Sequence, residues 1–111
     1  SLLYTNISST SGLSEWYADN VNSRGENFEF IWDGAEETAV LLAKKNGERI
    51  KFRWDVDVDT DYYFELRIQV DEITKDVSLM ITDFAEDGEV EEGKMLWENM
   101  VSELKQILGS T

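Results

Sequence analysis

Apolar residues near the C-terminus recur at intervals of three and four. Leu96, Trp97, Met100, Val101, Leu104, Ile107 and Leu108 form one stripe, and Glu98, Asn99, Ser102, Glu103, Lys105 and Gln106 take the other side. This spacing predicts an amphipathic helix over Glu91–Leu108. Gly109 follows, where a left-handed cap costs least. Burying seven such side chains contributes on the order of 10–20 kcal/mol before entropy is subtracted. A lone helix in water cannot collect that energy, so the preceding chain must supply an apolar surface.

The N-terminal end also reads as helical. Ser1 to Asn6 predicts a short helix, Ser8 to Gly12 a break, and Leu13 to Ala18 a second short helix with Trp16 and Tyr17 inward. Asp19 to Asn27 reads as a polar loop turning at Gly25. The period then changes to two. Phe28, Phe30 and Trp32 alternate with Glu29 and Ile31 in a first strand. Asp33-Gly34 is a hairpin turn into Thr38–Lys44, and Asn46-Gly47 is a second one. Ile50, Phe52 and Trp54 alternate with Arg49, Lys51 and Arg53 in a third strand. Phe64, Leu66, Ile68 and Val70 form a fourth, and Val77–Phe84 a fifth after a turn at Thr74–Asp76. On that last strand Leu79 and Ile81 compete with Met80 and Phe84 for the inner face.

Short turns between successive strands predict an antiparallel meander. One face carries Phe28, Phe30, Trp32, Ile50, Phe52, Trp54, Phe64, Leu66 and Ile68. The other is mostly charged and should meet water, with Lys51 opposite Glu65 and Arg53 opposite Tyr63. The expected fold is α+β: a curved sheet gripping one long helix, with two short helices closing one end, over a single domain of residues 1–111.

Composition narrows the chemistry. The 111 residues contain neither cysteine nor histidine. Thiolate chemistry and disulfides are therefore excluded, and the commonest general base and metal ligand are missing. These absences weigh against a hydrolase or metalloenzyme. Ten basic against 24 acidic residues, a net charge of −14, oppose binding to nucleic acid or an anionic membrane. No apolar run reaches the roughly 18 residues of a membrane span, and no signal peptide is visible. The expectation is a soluble, acidic, cytoplasmic protein.

The order of elements resembles the helix-grip fold of the START-like superfamily, and most of all its branch of heat-shock chaperone ATPase activators. Four stretches carry the resemblance: Gly12 to Tyr17, Gly25 with Phe28 and Phe30, Glu48 to Trp54, and Leu96-Trp97 with Val101, Leu104 and Leu108. Glu26 and Leu96 stand where the branch usually has glycine. Family members also open with a strand that pairs with the last one, whereas this chain starts inside a helix. The resemblance therefore implies either an upstream strand or an open edge at Val77–Phe84, which could pair with a second copy to give a homodimer.

The resemblance implies an apolar cavity between sheet and helix for a lipid or other small hydrophobic molecule. Trp16, Phe30, Phe52, Trp54, Phe64, Trp97, Met100 and Leu104 would line it. The alternative is that these large side chains fill the core. Asp55 to Asp61 alternates carboxylates like a calcium loop, but Thr60 and Leu66 occupy the positions that need glycine and glutamate. It reads as a solvated turn, and no metal or cofactor is expected. For acid–base chemistry only Glu29, Asp83, Tyr62 and Tyr63 are available, with Arg53 or Arg67 as helpers. Glu29, Arg53 and Arg67 alternate away from the apolar face and are expected outside the cavity, while Asp83 points inward if the fifth strand buries Leu79 and Ile81. Glu86, Asp87, Glu89, Glu91 and Glu92 form an acidic rim that suits the helix dipole and could meet a protein partner. The expected function is non-catalytic binding of a hydrophobic ligand. A chaperone-type protein-interaction domain with a filled core is the alternative, and a cyclase-like enzyme the third reading.

Overall fold

The computed structural model describes residues 2–109. Ser1, where the first helix was expected to begin, lies outside the described residues. The elements are α1 (Leu2–Ser8), α2 (Thr10–Trp16), β1 (Asn20–Arg24), β2 (Asn27–Trp32), β3 (Ala35–Lys45), β4 (Arg49–Trp54), β5 (Phe64–Val70), β6 (Val77–Thr82) and α3 (Val90–Ile107). The strands form one antiparallel sheet in chain order, β1 to β6. This is the expected helix-grip arrangement, with one strand more than the alternation pattern indicated. Among the described residues no helix is long and apolar enough to cross a membrane.

The extra strand replaces the expected Asp19–Asn27 loop. Asn20-Val21-Asn22-Ser23-Arg24 carries one apolar side chain, so its pattern is silent. Gly25, at φ 61°, turns it back so that Arg24 faces Asn27 and Asn20 faces Ile31. The backbone ladder and the single buried side chain of Val21 make this strand, not an alternating pattern. At the next hairpin Asp33 and Gly34 both adopt positive φ, 49° and 80°, as a two-residue turn of the type that matches strand twist requires.

Other boundaries also move. The expected Ser8–Gly12 break shrinks to Ser9, which ends α1 and caps α2 by accepting the Gly12 N–H at 2.9 Å. Gly12 sits inside α2 because α1 crosses there. A Cβ at residue 12 would lie 2.3 Å from the Thr5 carbonyl oxygen and 2.6 Å from Asn6 Cα. β3 runs well beyond Thr38–Lys44 and shifts register between Leu41 and Ala43. β6 stops at Thr82, two residues short of Phe84, and turns Leu79 and Ile81 toward the core while Met80 is exposed. Beyond β5 on the other side, β6 has no partner strand among the described residues.

The core is aromatic. Phe30, Phe52, Phe64, Ile50 and Leu66 are at most 1% exposed. Phe52 stacks on Phe64 at 5.1 Å, and Phe30 meets Phe52 edge-on at 5.6 Å. Ile7 and Leu13 close one end from α1 and α2. On α3 only Leu104 is fully buried; Trp97, Met100, Val101 and Leu108 are half-buried. Leu96 (60% exposed) and Ile107 (39%) fall at the margins of the stripe, so the buried seam is narrower than the periodicity implied. Gly109 takes the expected left-handed cap, φ 72°.

On the outer face Lys51 pairs with Glu65 as expected. The ladder stops at Phe52–Phe64, one pair short of Arg53 and Tyr63. Arg53 instead donates from Nε to the Tyr62 carbonyl at 2.8 Å, and Lys51 Nζ sits 4.1 Å from the Tyr63 ring centroid.

Candidate functional site

Strand parity places Trp32 and Trp54 on the inward face, each at the end of its strand. Their ring centroids lie 6.1 Å apart with planes inclined by 55°. Trp97 approaches from α3, and Met100 follows it one turn later on the same side. Below them lies Tyr17, the C-cap of α2, stacked on Trp97 at 5.4 Å and edge-on to Trp32 at 5.4 Å. These side chains, with Leu96, Glu37 and Asp83, surround a cleft of about 430 Å³ at one end of the sheet.

The cleft is open above and closed below. Tyr17 is 6% exposed, and Phe30 and Phe64 pack beneath it. The predicted lining therefore divides. Trp54, Trp97 and Met100 line the cleft. Phe30, Phe52, Phe64 and Leu104 do not: they fill the core, because the inward face brings their rings into direct contact before any cavity can open. Trp16 is also buried, with Nε1 donating to the Asn6 carbonyl at 2.8 Å. It reaches only a neighbouring shallow groove between α2 and α3.

Tyr17, Trp32, Glu37 and Leu96 were not expected as lining. Trp32 is an inward-face position, and its place at the end of β2 brings it to the opening. Glu37 faces Phe30 across the β2–β3 ladder and so shares its face, two residues before buried Ala39. A carboxylate at an inward position was the available signal, but the expected strand began only at Thr38.

Two polar links brace the cleft. Trp32 Nε1 donates to the Tyr17 carbonyl at 2.8 Å, tying β2 to the end of α2. Trp97 Nε1 donates to Asp83 Oδ2 at 3.0 Å, tying α3 to the end of β6. Asp83 Oδ1 accepts the Phe84 N–H at 2.8 Å. Asp83 thus meets the cleft, but from its exposed rim. Burial pushes the Tyr17 phenol well above the ordinary tyrosine range, and the negative charges of Asp83 and Glu37 push it further.

The other candidates stay apart from this cleft. Glu29 is on the outer face, 3.3 Å from Asn22 Nδ2, and its hydrogen bond to Glu36 raises the Glu36 carboxyl. Arg67 pairs with Glu65 at 3.5 Å. Tyr62 and Tyr63 pack on Phe84, each ring 5.2 Å from it. Asp55–Asp57 is one turn of 3₁₀ helix, stabilised where Thr60 Oγ1 donates to the Asp57 carbonyl at 2.8 Å. Among the described residues no three acidic side chains converge as metal ligands. Glu86, Asp87, Glu89, Glu91 and Glu92 are exposed around the start of α3.

Comparison with known proteins agrees with this architecture. A family model described as a START-like superfamily domain matches residues 1–110. A structural-genomics protein of Bacteroides fragilis, solved by solution NMR, is 34% identical with a TM-score of 0.65, covering 96% of this chain and 79% of its own. A Mesorhizobium loti protein solved by X-ray crystallography is 19% identical with a TM-score of 0.69, covering 98% and 88%, a likeness of fold alone. No curated protein matches.

Proposed function

Because the chain belongs to the START-like superfamily, we propose that it is a non-catalytic binding module that holds a small hydrophobic ligand in the cleft beside Trp97. The supporting observation is the cleft itself: about 430 Å³, walled by Trp32, Trp54, Trp97 and Met100 over a filled floor. That volume lies in the range of small-molecule sites, roughly 300–1,000 Å³. The ligand lies at the mouth of the grip rather than deep within it. The Tyr17 phenol is held neutral by burial and Asp83 accepts the Trp97 N–H, which fits a cleft that binds by contact. A cytoplasmic location belongs to the same reading.

A second reading, a protein-interaction domain, draws support from exposed apolar side chains on and near α3: Met95 (63%), Leu96 (60%) and Phe84 (48%). Pairing of a second copy along β6 is part of that reading. The two differ in what fills the cleft. Titration with the neutral dye Nile red should show saturable binding that Met100→Trp, which fills the cleft, weakens at least about tenfold. Equal binding to a folded Met100→Trp variant would exclude the cleft and favour the interaction reading.

A further inference from the structure

We propose that the ligand of this cleft is an organic cation, an amine or quaternary ammonium carried on an apolar body. The proposal rests on the hydrophobic-ligand reading above and adds the charge of the ligand. Its ground is that the lining converges on one electrostatic sign. Trp32, Trp54 and Trp97 border one opening, with Tyr17 stacked beneath Trp97, and an aromatic face carries the negative side of its quadrupole. Glu37 and Asp83 add two carboxylates, and no lysine or arginine lines the cleft.

Two of the three indole N–H donors at the cleft are already engaged. The indole N–H of Trp32 points to the Tyr17 carbonyl, and that of Trp97 to Asp83. What the two indoles leave for a ligand is carbon-ring surface rather than a free N–H. A carboxylate or phosphate head would meet two negative charges, with the N–H groups of Trp32 and Trp97 already bonded within the protein. An ammonium head would sit among aromatic faces with carboxylates in reach, while Met100 and Leu96 cover the apolar body. The raised ionisation of buried Tyr17 responds in part to the same two carboxylates. The whole chain reinforces the choice, since 24 acidic and 10 basic residues draw cations toward any opening.

The test compares three probes of equal chain length below their micelle concentrations: octyltrimethylammonium, 1-octanol and octanoate. Binding is followed by tryptophan fluorescence and calorimetry. Octyltrimethylammonium should bind at least about tenfold more tightly than 1-octanol, and octanoate more weakly than either. The double variant Glu37→Gln, Asp83→Asn removes both charges while keeping an accepting oxygen on each side chain, and should bring the cation-to-alcohol ratio down several-fold. Near-UV circular dichroism reports whether that variant is folded. The wild-type comparison decides the matter even where it is not. Equal binding of cation and alcohol would overturn the cation proposal and leave the hydrophobic cleft standing. Failure of all three probes would overturn both. A ratio unchanged in the folded double variant would also overturn it.

Discussion

Tyr17 concentrates the local physics of the site. Its ring supports Trp97, Trp32 and Phe30 at 5.4–5.5 Å, and its phenol is buried beneath two carboxylates. The folded protein therefore keeps the phenol protonated to higher pH than the unfolded chain does. A group with a raised folded-state pKa contributes stability that is complete below its unfolded value, here 10.0, and declines as pH rises beyond it. Urea midpoints should accordingly fall above about pH 10, and Tyr17→Phe should flatten that alkaline limb. An unchanged slope in the Phe variant would show that the phenol is not held neutral by the fold.

The junction of α1 and α2 shows how one residue sets an element's position. Gly12 is a poor choice for a helix interior by propensity, yet α1 passes so close that a methyl group would enter backbone atoms of Thr5 and Asn6. Those atoms belong to a helix and cannot swing aside. Gly12→Ala should cost about 1–3 kcal/mol in chemical denaturation, despite alanine's higher helix propensity. A neutral or stabilising result would mean that the two helices can separate freely. The α2 position matters for the site, because Tyr17 caps this helix and forms the floor of the cleft. On α3 the same scale explains why Leu96 stays exposed. α2 and the aromatic face meet the helix along Trp97, Met100 and Leu104, and Leu96 falls beside that seam.

Across the whole molecule, charge opposes compaction. With 24 acidic and 10 basic residues, average repulsion exceeds what a few exposed or partly buried ion pairs return. Arg49–Glu65 at 2.9 Å and Lys45–Glu48 at 2.8 Å gain too little to offset it. Raising sodium chloride from about 20 to about 200 mM should therefore raise the melting temperature by about 2–5 °C. A fall instead would assign more weight to the ion pairs than to the net charge. The repulsion also bears on the site, since one end of the sheet concentrates Glu37 and Asp83 beside an otherwise apolar opening.

Most of the architecture was legible because it depends on local rules. Alternation in Phe28–Trp32, Arg49–Trp54 and Phe64–Val70 needs only the two-residue period of a strand, and Asp33-Gly34 needs only the left-handed freedom of its residues. The order of these signals was enough to suggest the family. β1 escaped because one apolar side chain makes no pattern, and an edge strand is secured by backbone pairing with its neighbour. The filled core and the shallow cleft were decided by the tertiary structure alone. Sequence parity places Phe30, Phe52, Trp54 and Phe64 on one face, but only the three-dimensional positions of strand ends and helix separate rings that touch from rings that border an opening. By itself the chain determined which side chains face inward; packing decided which of them meet each other and which are left to meet a ligand.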